Sequence, residues 1–144
     1  MTGKANVKFV CRLYGKNKEE TREIISSVRE FSELNDYFDM PIKTYSSGMR
    51  GRLGFGLSLA FDFDYMLIDE TLSTGDASFR HKAKAALRKK IENCHVLLVS
   101  HDMRTLSEIC HAGILLHEGQ MHYYEQIDDA IAHYEEINKK QGKT

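Results

Sequence analysis

Three stretches of the chain carry the residue types that chemistry on phosphates uses. Ser46-Ser47-Gly48 opens a helical pattern whose first turn holds Arg50 and Arg52. Backbone amides left free at a helix N-terminus bind phosphate oxygens, and a glycine lets the backbone come close. Asp69-Glu70 follows directly on the apolar run Tyr65-Met66-Leu67-Ile68. Carboxylates at the carboxyl end of a buried parallel strand sit at the crevice where open α/β sheets take their ligands. Neighbouring strand residues point opposite ways, so one carboxylate can hold a magnesium hydration shell while the next polarises an attacking water. Ser100-His101-Asp102 ends a further apolar run, Val96 to Val99. From there His101 would hang over the same crevice as Asp69 and Glu70, where an imidazole can hydrogen-bond a terminal phosphate.

Each stretch taken alone has a plainer reading: a capped helix with solvated arginines, a strand ending in solvent, a histidine in a turn. Ser100-His101-Asp102 is not a hydrolase triad, because consecutive residues cannot align in a relay and real triads assemble from distant positions. Cys94-His95 and Cys110-His111 do not read as a zinc set, since neighbouring side chains diverge and the usual ligand spacings are missing among them. Cys11, Cys94 and Cys110 are an odd, widely spaced set with no secretory signal ahead of them, which fits reduced thiols. The 144 residues are enough for one domain with a real core. A formal net charge of -1 gives no reason to expect nucleic acid. The longest nearly apolar stretch, Leu53 to Phe61, is far short of the ~20 residues that span a bilayer, so a membrane role would need a partner.

Periodicity gives the elements that must position these residues. Val7, Phe9, Val10 and Leu13 fall at helical spacing within Asn6 to Tyr14, and Ile24, Ile25, Val28 and Phe31 repeat the pattern across Lys18 to Leu34. Pro41, the only proline, marks a break and a subdomain boundary. Ser46 or Ser47 caps a helix running to about Ala60. Tyr65 to Ile68 reads as a strand buried on both faces, and Val96 to Val99 as a second buried strand. Helices are predicted over Ala77 to Glu92 and Met103 to Cys110. Gly113 to Leu116 is a third strand, and Glu118-Gly119 is a tight turn that returns Gln120 to Tyr124 antiparallel. Ile127 to Asn138 closes the chain as an amphipathic helix. Strand, helix, strand, helix, strand predicts a parallel α/β sheet.

In this order and spacing, Tyr45-Ser46-Ser47-Gly48-Met49-Arg50, Tyr65 to Glu70, Ser73-Thr74-Gly75-Asp76 and Val99-Ser100-His101-Asp102 resemble the second half of an ATP-binding cassette (ABC) ATPase. The first of these, with Leu53-Gly54-Phe55-Gly56 and Phe61-Asp62-Phe63-Asp64-Tyr65, resembles more narrowly the ATP-binding subunits of bacterial capsule polysaccharide exporters, including the polysialic-acid type. The resemblance runs from about Thr2 to the C-terminus and covers only the later part of a full subunit. It implies an α/β fold: the C-terminal part of a P-loop, RecA-like nucleotide-binding domain, with a parallel sheet flanked by helices and a partial all-helical subdomain at the N-terminus. Within residues 1–144, it makes 1–40 a remnant of the helical subdomain, 41–60 the signature loop and helix, and 61–144 the second half of the ATPase core.

The same resemblance implies roles and partners. Ser46, Ser47 and Gly48 would contact ATP held by the opposite subunit, together with Asp76 of the D-loop. Asp69 would hold Mg2+ through water, Glu70 would be the catalytic base and His101 the switch histidine. ATP and Mg2+ are the implied cofactors. The implied partners are a membrane permease subunit and a second ATP-binding subunit in a homodimer, with no nucleic acid, at the cytoplasmic face of the bacterial inner membrane.

Some residues depart from the commonest cassette pattern. Ser47 stands in place of Gly and Met49 in place of Gln, as in the polysaccharide exporters, and Thr71 stands where Pro usually follows the Glu. No G-x-x-x-x-G-K-[ST] stretch is present, so the loop and lysine that wrap nucleotide phosphates are lacking. The family order puts that loop's strand between the one ending at His101 and the one at Gly113 to Leu116, so those edges should be either left unpaired or collapsed onto each other. The expected function is an ATPase subunit driving capsular polysaccharide export, with this chain inactive by itself. The rival is a non-catalytic half-cassette that serves as an interaction module or persists as a remnant. A soluble cassette protein of DNA repair or translation is a third reading, and its long coiled-coil insert or tandem cassette is absent.

Overall fold

A computed structural model describes residues 1–69 and 76–141. The chain begins with two helices, α1 (Gly3–Leu13) and α2 (Lys18–Ser32). α1 starts earlier than its apolar spacing predicts because the Thr2 hydroxyl accepts from the Ala5 amide at 3.1 Å, an N-cap upstream of the first apolar residue. Asn17 and Glu20 form a reciprocal capping box at the start of α2, and Glu33 ends that helix in the left-handed region at φ 54°. Two 3₁₀ turns, Asn35–Asp39 and Ile42–Thr44, flank Pro41 and lead to α3 (Ser47–Ala60). One apolar cluster joins these helices through Val7, Cys11, Val28, Phe38, Tyr45 and Leu53.

The strands β1 (Tyr65–Asp69) and β2 (His95–Val99) pair in parallel, Tyr65 opposite His95 and Asp69 opposite Val99. Between them α4 (Ala77–Ile91) packs on one sheet face, and α5 (Met103–Ile109) follows β2. Phe55 of α3, Met66 and Ile68 of β1, Phe79, Ala83 and Leu87 of α4, and Ile109 of α5 make a second core. α3 therefore belongs to both cores, giving Leu53 to one and Phe55 to the other.

Two expectations about these strands fail. β1 and β2 are not buried on both faces: Tyr65, Leu67, Leu97 and Val99 are between 55% and 77% exposed, while Met66 and Ile68 face the helices. An apolar run reports that a strand needs cover on both sides, and only one side has it among the described residues. Nor does the third strand extend this sheet. Among the described residues β3 (Gly113–His117) pairs only with β4 (Gln120–Tyr124), antiparallel, in a separate two-stranded sheet. The turn between them has Glu118 at φ 49° and Gly119 at φ 76°, the backbone that a two-residue hairpin prefers. β2 and β3 have not collapsed together; their edges remain separate.

The last helix, α6 (Ile127–Gln141), lies on the hairpin. A Cβ at Gly113 would collide with Ala130 and Ile127, so glycine there permits the close strand–helix approach. Tyr124 and His133 are hydrogen-bonded across the same contact, and the Ser107 hydroxyl of α5 bonds Asp128 of α6 at 2.9 Å. The opposite hairpin face is bare: Ile114 and Leu116 stand across from Tyr123 and Met121, and all four are exposed. No helix among the described residues is long and apolar enough to cross a membrane.

Candidate functional site

Ser46 is the cap of α3. Its side-chain oxygen accepts from the Met49 amide at 3.2 Å and its carbonyl from the Arg50 amide at 3.0 Å. The amides of Ser47 and Gly48 precede the first intrahelical bond, so they are the donors the helix itself does not use. Ser46 and Ser47 are exposed. A Cβ on Gly48 would meet only the Ser46 hydroxyl at 3.8 Å, and the residue is not among those at positive φ. Neither backbone conformation nor packing among the described residues calls for glycine at this position. The neighbouring arginines do not stand free in solvent. Arg50 donates to the Tyr45 carbonyl at 2.9 Å, and Arg52 reaches Asp76 at 2.7 Å.

Asp69 closes β1 on the bare sheet face that also carries Tyr65 and Leu67. Glu70, Thr71, Ser73, Thr74 and Gly75 lie outside the described residues. Asp76 begins α4 as its cap, accepting from the Phe79 amide at 2.9 Å. That amide, and then the Arg52 guanidinium, holds the Asp76 carboxyl below its ordinary value of 3.8.

His101 leaves the sheet just past β2 and lines a cleft of about 780 Å3 between α4 and α5. Asp69 and His101 thus both mark the carboxyl end of the sheet, and Val99, which lies opposite Asp69, lines the same cleft as His101. Three cations of that cleft are engaged with its carboxylates: Lys84 with Asp102 at 3.5 Å, and Arg88 and Arg104 with Glu108 at 2.9 and 3.2 Å. Asp102 caps α5, held below the ordinary carboxyl range chiefly by the Thr105 hydroxyl, then by the Thr105 amide and Lys84. The Ser100 hydroxyl accepts from the Asp102 amide at 3.0 Å, so this trio is a turn and cap and not a relay.

Both depressed carboxyls stabilise the folded chain fully above the unfolded carboxylate range, and that contribution is lost as pH falls through their lowered values. Thermal midpoints should therefore be flat between about pH 5 and 7 and drop below about pH 4. Asp102→Asn should flatten the acid limb, and an unchanged limb would remove Asp102 from this role.

The comparisons bear on the whole arrangement. No family model matches the chain. The polysialic acid transport ATP-binding protein KpsT of Escherichia coli is 54% identical over 135 residues, 93% of this chain and 61% of that relative. The chain is homologous to part of an ABC capsule-export ATP-binding subunit. The capsule polysaccharide export ATP-binding protein CtrD of Neisseria meningitidis is 38% identical over 137 residues, 95% of this chain and 62% of its own length. The chain thus spans about three-fifths of these curated relatives. A solved structure of the ATP-binding subunit of an ABC transporter superposes with a TM-score of 0.77 at 17% identity, over 93% of this chain and 56% of that one, which shows the fold. The homologous sequences and the shared fold agree with the α/β cassette reading.

Motif reading places Arg52 at the start of α3 but misses its link to Asp76. The two are 24 positions apart, and no local periodicity connects them.

Proposed function

We propose that the chain is the signature-bearing part of an ATP-hydrolysing subunit that powers capsular polysaccharide export, and that its nucleotide site is completed by polypeptide beyond the described residues. The observation that carries this reading is Gly48, a glycine that neither its own backbone nor its neighbours among the described residues require, beside two helix amides that the helix itself does not use. A surface built that way admits a phosphate group brought by another molecule to backbone distance. We assign Ser46, Ser47 and Gly48, with Asp76, to ATP held by a second ATP-binding subunit. Asp69 is assigned to Mg2+ through water, Glu70 to activation of the attacking water and His101 to the terminal phosphate. In this reading residues 1–40 belong to a helical subdomain, 41–60 to the signature segment and 61–144 to the ATPase core.

The residues present fit ATP and Mg2+ only in part. A carboxylate at a strand end suits magnesium, which keeps most of its waters, but the loop and lysine that cradle the β- and γ-phosphates are not in the sequence. The bound metal would neutralise charge on the transferring phosphoryl group. The chain's own contributions are the signature amides, the carboxylates and the imidazole. A permease in the bacterial inner membrane would receive the work, with this subunit peripheral on the cytoplasmic face.

Gly48→Ala tests the reading cleanly because the fold has room for the methyl group. In a cassette completed with the rest of the relatives' length, the variant should keep its thermal midpoint and lose ATP-dependent dimerisation. Unchanged dimerisation would remove the signature turn from the nucleotide interface.

A further inference from the structure

The end of α2, the body of α3 and the start of α4 meet at one knot of charges and rings. Arg52 of α3, with only 18% of its side chain exposed, bonds Asp76 at 2.7 Å and approaches Glu33 at 3.7 Å. Its guanidinium lies over the Phe79 ring, 4.6 Å from the centroid. Lys82 of α4 takes the other Glu33 oxygen at 2.7 Å and donates to the carbonyls of Phe31 and Glu30 at 3.2 and 3.3 Å. Beneath the charges the Phe31 and Phe79 rings meet edge to face at 5.6 Å.

An isolated exposed ion pair is worth little. This arrangement differs because one fork-shaped cation reaches two carboxylates on different elements while stacked on a ring. Five positions separate Ser47 from Arg52 on one helix, a rise of about 7.5 Å. The link from the signature turn to Asp76 is therefore one rigid helix segment and one side chain.

We propose that Arg52 is a positioning residue: it locks Asp76 and the first turn of α4 to α3, so that the signature turn and Asp76 move as a unit. The proposal rests on the reading of Ser46 to Gly48 and Asp76 as nucleotide-facing for its use, but not for its geometry. Arginine suits the task where lysine does not, because an ammonium cannot hold both carboxylates in a fixed fork.

The test is hydrogen exchange on this chain without nucleotide. The readouts are the Arg50 and Arg80 amides, which make the first backbone bonds of α3 and α4 to Ser46 and Asp76, both at 3.0 Å. Arg52→Gln should speed exchange at both amides about tenfold, the loss expected for a charged hydrogen bond. Amides of the β3–β4 hairpin should not change, and Arg52→Lys should restore part of the effect. Arg29→Gln, which breaks the separate Arg29–Asp39 pair, should leave the Arg50 and Arg80 amides unaffected. Unchanged exchange at Arg50 and Arg80 would overturn the proposal. So would acceleration there only in step with the hairpin, since that reports global stability alone.

In a completed cassette, Arg52→Gln should lower kcat for ATP while leaving KM in place, and equal losses in both would also count against it. Failure of the nucleotide reading would appear separately, as no hydrolysis by the wild-type cassette.

Discussion

In a completed cassette, Glu70→Gln should reduce ATP turnover by about 10²–10⁴-fold, the usual contribution of a general base. The substitution keeps the shape of the side chain and removes its ability to take a proton from the attacking water. Nucleotide binding and dimer closure should persist, because positioning and electrostatics carry most of phosphoryl transfer and the other groups remain. The signature is a fall in kcat with ATP-dependent association intact. Wild-type turnover in this variant would show that Glu70 ends its strand without catalytic work.

The second large effect concerns the bare sheet. The His95 amide donates to the Asp64 carbonyl at 2.9 Å, and strand alternation then turns the amides of Val96 and Leu98 away from β1. β2 has no second strand partner among the described residues. In this chain by itself, Val96 and Leu98 should exchange at least about a hundredfold faster than Leu97 and Val99, equivalent to about 2.8 kcal/mol of opening free energy. Supplying the rest of the cassette should erase the difference by adding a strand at that edge and cover on the face.

The face matters as much as the edge. Burying a large apolar side chain stabilises by about 1.5–3 kcal/mol as an upper estimate. Covering Tyr65, Leu67, Leu97 and Val99 should therefore raise the thermal midpoint and suppress aggregation. Equal protection along β2 in the chain alone, with a cooperative transition and monomeric elution, would contradict an open edge.

Local features were legible where the cause was local. The Ser46 cap, the Glu118-Gly119 hairpin turn and the helix over Ala77 to Ile91 each follow from a few neighbouring residues. The parallel pairing of β1 with β2 followed from alternation of strand and helix. Strand burial was read wrongly because sequence reports what a face needs, whereas burial depends on what reaches it. Leu67 is as apolar as Ile68, yet it points to the side that no helix among the described residues covers. Of the candidate site, the order of motifs pointed to the ATP-binding subunits that the similar sequences turned out to be. The Arg52–Asp76 link depends on a contact between distant segments that no local pattern encodes.

The central claim is that these residues perform ATP chemistry only once the phosphate-cradling part is joined to them. The direct measurement is Mg2+-dependent ATP hydrolysis by this chain, with and without the remaining portion of a capsule-export cassette supplied. The account predicts no turnover from the chain alone, turnover on addition of the remaining portion, and loss of that turnover in Glu70→Gln. Magnesium-dependent hydrolysis by the chain alone, itself abolished by Glu70→Gln, would contradict it.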